Sequence, residues 1–131
     1  MERIVAIDVG LKRIGTAFTP NASVVVPLPA IIRKNRNQAA REVENLLKEY
    51  KADILVVGLP LTNEEMQRRI KHFVSLLDFN GKIEFVDESY TSAVVEEEIK
   101  GKIKYKRDGR VDSLVAKMLL ERFLENYRKK Q

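Results

Sequence analysis

Ile4-Val5-Ala6-Ile7-Asp8-Val9-Gly10-Leu11-Lys12-Arg13-Ile14-Gly15 decides how the chain is read. The first four residues are apolar and rich in β-branched side chains. They are too few for a typical helix and suit a buried strand. Asp8 stands where that strand leaves the core. Gly10 permits a sharp turn or the close approach of another group to the backbone. Lys12 and Arg13 follow at once. An acid, a tight turn and two cations in one octet suit a site that holds a metal ion or a phosphate.

Outward from this stretch, Thr16–Thr19 reads as a return strand and Val24–Val26 as a third, with Pro20-Asn21 turning between them. Pro27 and Pro29 limit ladder pairing and place the third strand at an edge. Residues 37–51 change to helical spacing, with Ala39, Ala40, Val43, Leu46, Leu47 and Tyr50 on one side. Ile54–Val57 is a second continuous apolar strand, closed by Gly58-Leu59-Pro60. Thr62 and Glu65 have the form of a capping box for a helix that carries Met66, Ile70, Phe73, Val74 and Leu77 and ends at Asn80-Gly81. Ile83–Val86 is a fifth strand running into Asp87-Glu88. A short helix near 92–99 is expected, then a last helix over 111–127 with Val111, Leu114, Val115, Met118, Leu119 and Phe123 toward the core. Crossover helices make strands one, four and five parallel neighbours. The expected architecture is a single α/β domain over residues 1–131, a five-stranded mixed sheet of order 3-2-1-4-5 flanked by helices.

The totals narrow the chemistry. The 131 residues carry 24 Lys and Arg against 19 Asp and Glu, a net charge of +5, which leans toward a polyanionic partner while also serving solubility. Without cysteine there are no disulfides or thiolate metal sites, and a reducing compartment fits. With one histidine, a multi-histidine site is excluded, so any metal is held by carboxylates, favouring Mg²⁺, Mn²⁺ or Ca²⁺ over zinc. No apolar run approaches the roughly 20 residues of a membrane span, and the first strand begins too early for a signal peptide. The expectation is a cytoplasmic protein with no membrane partner.

Three acids fall at telling places. Asp8 ends strand one, Asp87-Glu88 ends strand five, and Asp112 opens the last helix. Parallel strands bring their carboxyl ends to one sheet edge, where open α/β sheets bind ligands. On the helical wheel Asp112 aligns with Ala116, Leu119 and Phe123, the apolar face, so its carboxylate must be paired, neutralised or bound to a cation. Asp8, Glu88 and Asp112 are therefore the candidate catalytic and metal-binding residues. Each also has a plainer reading: a turn or cap residue, a solvated loop acid, and a helix-dipole partner, respectively. Strand four, with Gly58 and no acid, separates strands one and five by roughly 10 Å, so Glu88 has to reach inward.

Lys100, Lys102, Lys104, Lys106, Arg107 and Arg110 form a basic stretch with Gly101, Ile103 and Tyr105 interleaved. Such a segment can grip a nucleic-acid backbone, and Tyr105 can stack on an unpaired base. The plainer reading is a solvated loop. Arg33, Lys34, Arg36 and Arg41 form a second, weaker basic cluster. His72 reads as a surface or partnered residue rather than a catalyst.

Four segments in order carry a resemblance: Asp8-Val9-Gly10-Leu11-Lys12-Arg13-Ile14-Gly15, Val56-Val57-Gly58-Leu59-Pro60-Leu61, Asp87-Glu88-Ser89-Tyr90-Thr91-Ser92 and Val111-Asp112-Ser113-Leu114-Val115-Ala116. Together they resemble the YqgF/RuvX family, bacterial proteins described as Holliday-junction resolvases and as pre-16S ribosomal RNA nucleases. The resemblance implies a ribonuclease-H-like fold and an acidic site for Mg²⁺ or Mn²⁺ at Asp8, Glu88 and Asp112. It implies a nuclease that matures the 5′ end of the small-subunit ribosomal RNA, with structured RNA favoured over a DNA junction and ribosomal association left open. Lys12 and Arg13 match the family's basic pair, for phosphate contact or charge stabilisation. The chain departs from the family pattern at Ser89, where arginine is usual, and in a shorter segment after Leu61. Strand four also lacks the acid of true junction resolvases. A non-catalytic RNA-binding module and a nucleotide-binding half-site of the actin-like type stay open beside the nuclease, as do monomer and homodimer.

Overall fold

A computed structural model of the chain describes residues 2–88 and 109–129. Strands β1 (Ile4–Val9), β2 (Arg13–Thr19) and β3 (Val26–Ile32) precede helix α1 (Arg36–Glu49). Then come β4 (Ile54–Leu59), α2 (Glu64–Ser75), β5 (Lys82–Asp87) and α3 (Gly109–Lys129). The sheet order is β3-β2-β1-β4-β5, as expected. β1 and β2 pair antiparallel, as do β2 and β3, while β4 runs parallel to both β1 and β5. Three strands thus bring their carboxyl ends to one edge.

Side chains alternate across β1. Val5, Ile7 and Val9 join Leu55, Val57 and Leu59 of β4 under α1 and α2, in a core that includes Val43, Leu47, Ile70 and Phe73. Ile4 and Ala6, with Ala17, Ile54 and Val56, face Ala116, Leu120 and Leu124 of α3. Ala6 and Ala17 on the sheet and Ala116 on the helix are small, so α3 lies close to the sheet there.

Several boundaries differ from expectation for local reasons. β1 continues through Asp8 to Val9, and β2 begins at Arg13, so the turn is short. β3 runs through Pro27 and Pro29 rather than stopping before them. It pairs on one side only, and an edge strand tolerates missing N–H groups on its open side. The cap of α2 is Asn63, whose side chain accepts from the Met66 N–H, rather than Thr62. That helix stops at Ser75, and Gly81 instead sits where a Cβ would lie 2.5 Å from the Asp53 carbonyl. The buried face of α3 includes Ala116, Leu120 and Leu124, while Leu114, Met118 and Phe123 are only partly buried. The expected short helix near 92–99, Ser89, Tyr105 and the basic residues Lys100, Lys102, Lys104, Lys106 and Arg107 lie outside the described residues. Among the described residues no helix is long and apolar enough to cross a membrane.

Candidate acidic site at the carboxyl edge of the sheet

Asp8 has the parity of Ile4 and Ala6, so its side chain belongs to the α3 face. It is 7% exposed. Its neighbours across the sheet on that face are glycines. Asp8 pairs with Gly15 of β2. One step beyond the Ile7–Val57 pair, the parallel register brings it beside Gly58 of β4, which in turn pairs with Val86 of β5.

Each glycine makes room for a different partner. A Cβ on Gly15 would lie 2.0 Å from the Asp112 carbonyl oxygen, so the first turn of α3 is pressed against this point of β2. The β2–β3 ladder is irregular here, between Ile14 and Thr16. The Thr16 N–H donates to Ser113 Oγ at 3.3 Å, and Ser113 Oγ donates to the Leu28 carbonyl at 2.5 Å. These bonds pin Asp112 over the sheet, 5% exposed.

Gly58 does the same for Glu88. A Cβ there would lie 3.2 Å from Glu88 Oε2, 3.3 Å from Glu88 Cβ and 2.7 Å from Leu119 Cδ1. Glu88 therefore folds inward over strand β4, toward the strand that carries Asp8. The separation between β1 and β5 that the strand order imposes is bridged by a side chain lying over a residue that has none. Two backbone contacts hold the root of Glu88: its N–H donates to the Leu59 carbonyl at 3.0 Å, and Arg122 Nη1 of α3 donates to the Asp87 carbonyl at 2.7 Å.

Glu88 Oε2 is buried and has no hydrogen-bond partner among the described residues. A buried carboxylate oxygen without a donor is costly unless a proton or a cation meets it. Asp112 differs. Arg13 Nε donates to its Oδ2 at 2.7 Å, and the carboxylate side of this pair is 8% exposed against 29% for the arginine. The requirement that a core-facing Asp112 be paired is met by Arg13, a residue whose place in the sequence suggests a phosphate contact instead. The structure thus brings Glu88 over Gly58, the β4 position beside Asp8, and sets Asp112 on the far side of Asp8, beside Gly15. Among the described residues no three acidic or histidine side chains form a ready-made metal cluster. Lys12 is exposed in the β1–β2 turn. Arg110 is exposed at the start of α3, beside an apolar groove of about 690 Å³ lined by Pro27, Pro29 and Leu114.

The acidic side chains brought to this edge, Asp8, Glu88 and Asp112, offer oxygen atoms only, the donor type that hard divalent cations take. What sequence reading misses is the service of the two glycines. Gly58 shows there only as a position lacking an acid, and its role depends on the direction of a side chain from another strand.

The fold is shared with solved nucleases. Over 97% of this chain and 96% of the other, it matches Thermus thermophilus RuvC in complex with a Holliday junction substrate, at a TM-score of 0.63 and 11% identity. The Fowlpox virus resolvase bound to junction DNA matches over 95% and 98% of the two chains, at a TM-score of 0.57 and 16% identity. These likenesses establish a ribonuclease-H-like fold. Sequence relatives are much nearer. A Sulfurimonas denitrificans protein is 48% identical over 125 residues, covering 93% of this chain and 96% of its own length. A Campylobacter lari protein is 50% identical over 124 residues, covering 92% and 96%. Both carry the name "putative pre-16S rRNA nuclease". The family profile described as "RuvX: Holliday junction resolvase" matches residues 2–126, and the chain belongs to the RuvX family.

Proposed function

We propose that the chain is a single-domain, divalent-metal-dependent endonuclease of the cytoplasm that processes the 5′ end of pre-16S ribosomal RNA. The observation that carries this reading is the buried, unpartnered Oε2 of Glu88 lying over Gly58, on the strand position beside Asp8. The names of the near relatives support RNA as substrate.

In this reading Asp8 and Glu88 hold Mg²⁺ or Mn²⁺, and Asp112 completes the acidic edge. When bound, the cation supplies charge neutralisation at the phosphate and makes water more acidic. The chain's own residues do the rest. Arg13 fixes the Asp112 carboxylate in one orientation through its Nε–H, so that this acid does not drift toward solvent. Lys12 stands exposed at the turn, where its ammonium meets a phosphate oxygen of the incoming strand. The buried walls of β1 and α3 keep bulk water from Asp8 and strengthen every charge interaction there.

Cleavage of matched precursor RNA and four-way-junction DNA, each with Mg²⁺, Mn²⁺ or EDTA, tests the proposal. Metal-dependent RNA cleavage is expected, with a loss on the order of 10³-fold in Asp8→Asn, equivalent to about 4 kcal/mol of barrier. Cleavage at the wild-type rate by a normally folded Asp8→Asn overturns the site. A junction preference moves the substrate to DNA, the family profile's own description. Salt-sensitive RNA affinity that survives EDTA, without any cleavage, identifies a binding module instead.

A further inference from the structure

On the opposite face of the sheet, at the same edge, lies a cleft of about 420 Å³ that the acidic site does not use. Val9 and Leu11 reach it from β1 and its turn, Arg33 and Arg36 from the β3–α1 junction, and Arg68, Arg69 and His72 from α2. Three segments distant in sequence thus bring four arginines to one concavity. Met66, Ile70 and Phe73 supply its apolar floor.

Among the described residues most of these charges lack acidic partners. Arg69 pairs with Glu65 one helical turn away, at 2.9 Å in solvent. Among the described residues no carboxylate pairs with Arg33, Arg36 or Arg68. Arg33 is half-buried. Its Nη1 donates to the Gly10 carbonyl at 2.7 Å, and its guanidinium lies 5.2 Å from the centre of the Phe73 ring. Burial, with Arg36 nearby, lowers its pKa from the usual arginine value. Arg36 Nη1 lies 3.3 Å from His72 Nε2. An arginine can only donate, so this contact is a hydrogen bond in the tautomer that leaves Nε2 as acceptor. A half-buried cation that faces further cations is stabilised by an anion, and the planar guanidinium matches phosphate geometry.

We propose that this cleft is a second phosphate subsite, which takes a backbone phosphate of the polynucleotide flanking the one cut at Asp8; it rests on the nuclease reading given above. Arg33 links the two places. Its side chain holds the Gly10 carbonyl, and its N–H donates to the Lys12 carbonyl at 2.9 Å, so both ends of the Asp8–Arg13 turn are braced by the residue that faces the cleft. Leu11, 63% exposed, stands at the rim, where a strand passing from one face to the other has to cross. Arg36 and Arg68 bind phosphate, and the apolar rim and floor at Leu11 and Met66 accept the sugar or base between phosphates.

The test is fluorescence anisotropy of a labelled single-stranded RNA on the full chain, in EDTA, across a salt series. Arg36→Ala/Arg68→Ala changes two exposed side chains, so folding is preserved. The expected loss of affinity is about fivefold or more at physiological salt, with the slope of log K on log salt reduced by about 0.7 for each phosphate that is no longer neutralised. Lys48→Ala/Lys51→Ala removes the same charge at the far edge of the sheet and should leave affinity within about twofold. Equal losses in the two double variants overturn the proposal, because bulk charge then explains the binding. Unchanged affinity and slope in the arginine variant also overturn it. Adenosine 5′-monophosphate separates the two sources of phosphate. If it saturates the cleft at micromolar concentration while RNA affinity is indifferent to Arg36 and Arg68, the site belongs to a free nucleotide and not to a strand. Because the assay needs no cleavage, an inactive but arginine-dependent binder refutes the nuclease reading alone. A metal-dependent nuclease with arginine-independent affinity refutes the subsite alone.

Discussion

The two faces of the sheet meet at one turn with opposite chemistry. Toward α3, Asp8 lies buried between two glycines, Glu88 covers one of them, and Arg13 is tied to Asp112. Toward α1 and α2, the same turn overlooks Arg33, Arg36 and Arg68, which meet no acid among the described residues. The acidic side is buried and tightly packed and leaves Glu88 Oε2 without a hydrogen-bond partner among the described residues. The basic side is an open cleft, and in the proposed reading the first takes a small cation and the second a larger anion. A polynucleotide beside a divalent cation satisfies both at once.

Asp8→Asn probes the comparison most severely. It keeps the shape of the acidic side and removes one of its three carboxylate charges, so activity should fall on the order of 10³-fold. Affinity for RNA in EDTA should hold or rise, because a repulsive charge has gone. A parallel fall in EDTA affinity would mean that the two faces are not separate in function.

Gly58→Ala is the next largest change. The added methyl meets Leu119 at 2.7 Å and Glu88 at 3.2 Å, both flexible side chains rather than backbone. Overpacking of this kind costs about 1–3 kcal/mol. Relief requires Leu119 Cδ1 to give way first and Glu88 to shift by a few tenths of an ångström, which moves its carboxylate off Gly58. Cleavage should fall about 10–100-fold while the RNA affinity of the arginine cleft is unchanged, since a 1 Å displacement of a catalytic group is worth about that much. Unaltered cleavage in a folded Gly58→Ala would show that the inward position of Glu88 does not matter.

How much of this is legible in the sequence depends on the range of the interactions involved. Asp8 can be placed because an apolar run of four residues is a local signal, and Asp112 because its helical period alone puts it on the apolar face. The sheet order follows from strand count and crossovers. The cleft is not legible. Arg33 and Arg36 show as a weak cluster and His72 as a surface residue, but Arg68 and Arg69 draw no notice, because only the docking of α2 against α1 and β4 brings them to the other two. Helix α3 misleads in part for a similar reason. Ala116 carries little hydrophobic signal yet is fully buried, and it lets the helix sit close enough to bury Leu120 and Leu124 beyond it. The ion pair of Arg13 with Asp112 is not legible either, because sequence shows a charge but not its partner.

Arg13→Ala should therefore behave as the loss of a structural ion pair. It leaves the Asp112 carboxylate, 8% exposed, without the Nε–H donor. For a partner that is itself partly solvated the cost is about 1–2 kcal/mol, less than for a fully buried pair. Urea denaturation should show a lower midpoint with an unchanged slope. An unchanged midpoint would show that Asp112 is held by its other interactions.

The smallest effect has the opposite sign and sets the faces apart most cleanly. Arg36 acts on Arg33 only by repulsion, which together with burial lowers the pKa of Arg33. A base whose folded pKa lies below its unfolded value destabilises the fold wherever it is charged in both states. That cost is present throughout the neutral range and is relieved only as pH rises through the lowered folded pKa. Arg36→Ala removes one source of it, at the expense of the hydrogen bond to His72. Exposed like charges at this spacing cost about 0.2–0.5 kcal/mol, so Tm at low salt should rise by about 1 °C. The gain should vanish in high salt, where the repulsion is screened. It should also vanish in inorganic phosphate, which supplies the wild-type cleft with its missing anion. A fall in Tm at low salt would mean that the hydrogen bond to His72 outweighs the repulsion, and the basic face would then be as internally paired as the acidic one.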